Sequence, residues 1–78
     1  MKYEGNRYPM FGFTERLQKA RENKGISKKE LADKIKVTRH SIKLYESGEV
    51  TPTFTIISKI ATELDVSLDY LAFGKEKK

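Results

Sequence analysis

The 78-residue chain has no cysteine, no tryptophan, two prolines and one histidine. Without cysteine there is neither a disulfide framework nor a thiolate metal site. The lone His40 has no cluster of carboxylates around it in the sequence, so a zinc site is not expected. Nor does it have a paired base or nucleophile. No catalytic constellation can be drawn, and the expectation is a protein that is not an enzyme and needs no cofactor. No apolar run approaches the ~20 residues of a membrane span. The opening MKYEGNRYPMF lacks the apolar stretch of a signal peptide. These absences point to a cytoplasmic protein with no membrane and no metal among its partners.

What the chain has is charge, unevenly placed. Charged residues make up 35% and apolar residues 37%, with a net charge of +5. That balance fits one small folded domain with a heavily charged surface. Residues 24–43 carry Lys24, Lys28, Lys29, Lys34, Lys36, Arg39 and Lys43 against only Glu30 and Asp33. Residues 44–74 carry Lys59 against Glu46, Glu49, Glu63, Asp65 and Asp69. A basic excess confined to one stretch is the electrostatic footprint of a polyanion partner. The plainer alternative is a solvated lysine-rich face.

Helical periodicity dominates the chain. Residues 1–12 show none and are punctuated by Gly5, Pro9 and Gly12, so they read as an arm, which Tyr8, Met10 or Phe11 could pin to the domain. Phe13, Leu17 and Ala20 recur at helical spacing over about 13–24, and Gly25 ends that helix. Ser27 and Glu30 form an S-x-x-E capping box opening the second helix, with Ile26 as a hydrophobic staple and Leu31, Ala32 and Ile35 as its buried stripe. The turn is Lys36-Val37-Thr38. Thr38 caps a third helix, about 39–46, which Ser47-Gly48 terminates. Thr53 caps a fourth, about 54–64, with Ile56, Ile57, Ile60, Ala61 and Leu64 in one stripe. Ser67 caps a fifth, about 68–73, with Leu68, Leu71 and Phe73 apolar. Gly74 ends it, and 75–78 are a solvated tail. The expected fold is all-α: five helices in one domain, 13–74.

The second and third helices with their short turn form a helix-turn-helix pattern. Ile42 and Tyr45, three apart, share an inward face, and Ala32 is the small residue where the two helices cross. Arg39, His40, Lys43 and Leu44 then face outward, as a helix entering the major groove of DNA requires. Ser27 and Lys28 stand at a helix N-terminus, where backbone N–H groups favour phosphate.

Residues 13–73 resemble the lambda-repressor-like, Xre-type helix-turn-helix family. The resemblance rests on Leu17 and Arg21 in an L-x-x-x-R pattern, GIS-x-x-ELA, V-T-x-x-S-I-x-x-Y-E-x-G, a proline four residues after that glycine, and DVSLDYL. It implies a five-helix domain that binds double-stranded DNA sequence-specifically, as a prokaryotic or phage transcriptional repressor. Arg39, His40, Lys43 and Leu44 match its base-reading positions; Arg39 would take guanine O6/N7, and Leu44 a thymine methyl. Thr38 and Ser41 match phosphate-holding positions. Arg21 and Glu46 match a structural ion pair. Lys28 stands where the family usually has glutamine, and Lys36 where it has glycine; each brings a positive charge to the phosphate side. The loop Glu49-Val50-Thr51 is acidic where the family is often basic, which should reduce non-specific affinity. A homodimer through the fifth helix, with Leu68, Tyr70 and Phe73, would read a two-fold symmetric site. The alternative is a phage-type antirepressor or modulator, binding a partner repressor protein through Leu44 and the Glu49 loop.

Overall fold

The computed structural model describes residues 12–74. The packing expected of Tyr8, Met10 and Phe11, and the tail at 75–78, lie outside the described residues. Five helices follow in order: α1 (Phe13–Lys24), α2 (Lys28–Ile35), α3 (Arg39–Ser47), α4 (Phe54–Leu64) and α5 (Leu68–Phe73). There is no strand among the described residues.

Local chemistry accounts for where these helices start and stop. Ser27 Oγ accepts from the Glu30 backbone N–H at 3.0 Å, and Glu30 Oε1 accepts from the Ser27 N–H at 2.7 Å. The reciprocal box satisfies two donors that the helix cannot satisfy itself. Thr38, Thr53 and Ser67 each accept from the N–H three residues on, capping α3, α4 and α5. Gly25 adopts φ 78° and donates to the Arg21 and Glu22 carbonyls, closing α1. α3 runs one residue further than its expected end: Ser47 belongs to its last turn, and Gly48 stops it at φ 87°.

The five helices share one core, to which each contributes a branched aliphatic that is fully buried: Leu17, Leu31, Ile42, Ile60 and Leu71. At about 1.5–3 kcal/mol for each such side chain, these contacts outweigh the weak propensity of short helices. α2 packs on both α3 and α4; α1 reaches α3, α4 and α5. Ile26, Val37 and Tyr45 are half-buried against the core. Phe73, grouped with the apolar side of the last helix in the sequence, is 49% exposed. Arg16 holds α5 in place: its Nε donates to Leu71 O at 3.1 Å and its Nη2 to Ala72 O at 2.9 Å. A six-residue helix is marginal alone, and here a charged donor satisfies two of its final carbonyls.

Candidate nucleic-acid interface

The site is built on α3. Ile42 is fully buried and Tyr45 packs on the core, so this side of the helix faces inward. Arg39, His40 and Lys43 are exposed. The ion pairs among the described residues are Arg21–Glu46 and Lys29–Asp33, so neither Arg39 nor Lys43 has an ion-pair partner among them. Leu44 differs from expectation. It is half-buried rather than exposed. Its apolar surface is correspondingly smaller than the sequence suggests.

Thr38 and Ser41 form a small donor relay at the start of α3. Thr38 Oγ1 accepts from the Ser41 backbone N–H and donates its hydroxyl proton to Ser41 Oγ, both at 3.0 Å. The Ser41 hydroxyl proton is left to donate outward. At the start of α2 the capping box occupies the Ser27 backbone N–H and one lone pair of its Oγ. The Ser27 hydroxyl proton, half-buried Lys28 and the backbone N–H groups of Lys28 and Lys29 remain as the donors there. The Glu30 carboxylate also sits at this end, partly answering the helix dipole that a phosphate would otherwise meet alone.

Lys36 lies at the other end of α2. It caps the helix at φ 64°, the left-handed conformation that glycine adopts without strain. With Lys34 and Lys59 it lines a groove between α2 and α4. The structure therefore does not bring Lys36 together with Ser27 and Lys28.

Arg21 and Glu46 lie together beneath the site. Arg21 Nε donates to Glu46 Oε2 at 2.6 Å, Nη2 to Oε1 at 3.4 Å, and Nη1 to Ile26 O at 2.9 Å. Their side chains are 10% and 6% exposed. One guanidinium thus ties α1, the α1–α2 connection and the last turn of α3 together, fixing the angle at which α3 is presented. In the following loop Glu49 is exposed, with its backbone N–H 3.3 Å from Ser47 Oγ. Two exposed apolar side chains flank the site, Val50 at 41% and Phe54 at 63%. Periodicity did not mark Phe54, which stands three residues before Ile57 and seven before Ala61, at the edge of its helix's apolar stripe.

This surface offers cations, hydroxyl and amide donors and one half-buried methyl surface. That set suits binding of a polyanion. No group of three or more His, Asp or Glu side chains among the described residues could hold a metal. No helix among them is long and apolar enough to cross a membrane.

Comparison with known proteins gives the surface a context. The model of the Helix-turn-helix family matches residues 17–71. The chain is 40% identical over 63 residues to the HTH-type transcriptional regulator YqaE of Bacillus subtilis, covering 81% of the chain and 54% of that protein. It is 40% identical over 57 residues to the cryptic phage CTXphi transcriptional repressor RstR of Vibrio cholerae, covering 73% of the chain and 51% of that protein. A solved transcriptional regulator from Listeria innocua superposes with a TM-score of 0.72 at 26% identity, covering 85% of this chain and 61% of that one. The chain spans about half the length of the curated relatives it matches. The matched family is one of transcriptional regulators, not a class of enzyme.

Proposed function

The chain belongs to the lambda-repressor-like, Xre-type helix-turn-helix family, and on that premise we propose that it is a transcriptional regulator, of the repressing kind, that binds double-stranded DNA sequence-specifically in a prokaryotic or phage setting. α3 enters the major groove. Arg39 takes guanine, His40 and Lys43 reach neighbouring base edges, and Leu44 meets a thymine methyl with what surface it keeps. Lys28, the Ser27 hydroxyl, Thr38 and Ser41 hold flanking phosphates, and Lys36 adds charge at the turn. Bound at a promoter, the domain acts by occluding polymerase. The two-fold operator symmetry of this docking mode calls for a homodimer, with α5 and Phe73 as its contact. DNA is in the cytoplasm in such a setting, and so is this protein.

The observation that carries the reading is one helix whose inward face is locked by Ile42 and by the Glu46 ion pair while its outward cations have no ion-pair partner among the described residues. The relatives support it, since they bear regulator and repressor names. A module that binds a partner repressor instead of DNA is not favoured by them.

Selection from a random duplex library, followed by salt titration on the recovered site, tests the function. The expected result is an enriched palindrome whose log K falls linearly and steeply with log salt. Recovery of no motif would overturn the proposal.

A further inference from the structure

Between α2 and α4 the structure carries a second basic surface, of which the DNA reading uses only the charge of Lys36. The groove between the C-terminal end of α2 and the outer side of α4 has a volume of about 370 Å³. Lys34, Lys36 and Lys59 line it with Ser58, Thr62 and Glu63, and Ile35 forms its floor. Ile35 is 2% exposed and belongs to the core, so the apolar surface open in the groove is that of the side-chain stems around it. None of the three lysines forms an ion pair among the described residues, although Glu63 stands in the same lining. Lys34 suits the C-terminal end of the α2 dipole, but Lys59, in the middle of α4, has no such local reason to be basic.

The chemistry of the groove selects its occupant. Lysine stems are methylene chains, so walls built from them are apolar below and cationic at the rim. A phosphate backbone has nothing to place against those stems, and no aromatic ring lines the groove to stack a base. A peptide carrying an apolar side chain between carboxylates fills both needs. We propose that this groove docks an acidic protein segment with an apolar anchor: the anchor lies along the stems of Lys34, Lys36 and Lys59, carboxylates meet their ammonium groups, and the Ser58 and Thr62 hydroxyls donate to the same carboxylates. Glu63 opposes the segment and tunes the affinity downward. Because the groove is formed by α2 and α4, a regulator holding DNA through Arg39, His40 and Lys43 keeps it open to a protein partner. Complementary charge would speed that encounter and select the partner.

The test uses the full chain and two short labelled peptides rich in aspartate and glutamate, one with a central Leu-Phe pair and one with serines there. The Leu-Phe peptide is expected to bind about tenfold tighter than the serine peptide. It should move the backbone amide signals of 34–36 and 58–63 and leave those of 39–43 in place. Lys34→Ala with Lys59→Ala, both exposed helix positions that tolerate alanine, should weaken it about tenfold, and Glu63→Gln should tighten it. Equal binding of the two peptides, or signals moving along 39–43, would overturn the proposal. So would a duplex extended beyond the selected site that moves the 34–36 and 58–63 signals, since the groove would then be a DNA surface.

Discussion

Replacing Glu46 with glutamine keeps the side chain's shape and removes its charge. Arg21 Nε and Nη2 now contact its two carboxylate oxygens at 2.6 and 3.4 Å, and the pair is almost wholly covered, at 10% and 6% exposure. In Glu46→Gln the guanidinium keeps its bond to Ile26 O and one weaker acceptor, but its charge is left buried without an opposite. Removing one partner of a buried pair costs about 3–5 kcal/mol, and the surviving amide oxygen argues for the lower end. A domain of this length has about 4–12 kcal/mol in total. A loss of about 3 kcal/mol lowers its Tm by about 12–24 °C. Thermal unfolding followed by circular dichroism reads this directly. The matching control is Arg21→Met with Glu46→Leu. It fills the same space with apolar groups and should melt near the parent, because no charge is then desolvated and only the Ile26 carbonyl loses a donor. A Glu46→Gln midpoint within about 4 °C of the parent, the effect of roughly 1 kcal/mol, would refute the reasoning, since it would mean that water screens the pair as at an open surface.

Two further expectations concern the DNA face, and a third the cap of α2. Lys28→Ala should weaken binding to all duplexes alike and reduce the salt slope by about 1, as one lost phosphate contact does; a change in the preferred sequence would contradict that role. Glu49→Lys should strengthen binding to non-specific duplex and steepen its salt dependence, measured by fluorescence anisotropy at several salt concentrations. Lys36→Gly should raise stability by about 0.5–1 kcal/mol in denaturant titration, because glycine relieves the left-handed conformation at φ 64°.

The helix boundaries were legible because their determinants are local. Ser27 with Glu30, Thr38, Thr53 and Ser67 each act within three residues, so periodicity and cap chemistry locate the helices they open. Long-range polar contacts were not legible in that way. Arg16 bonds to carbonyls 55 and 56 residues distant, and a backbone acceptor leaves no residue-type signal. The Arg21–Glu46 pairing spans 25 residues and was available only through family resemblance. Leu44 shows a third limit. Its angular position on the helix marks it as outward, while its half-burial depends on neighbours that packing brings in. The outward position of Arg39, His40 and Lys43 followed from the inward demand of Ile42. Lys36 was legible as a turn residue, but its place beside Lys34 and Lys59 needed the packing of α2 on α4.

The central claim is that α3 reads bases through Arg39. The most direct test is site selection from one random duplex library with the parent and with Arg39→Ala in parallel. The account predicts the same motif with preference relaxed at one base pair of each half-site, and about 1–3 kcal/mol less discrimination against the wrong base there. An unchanged motif at every position would contradict it.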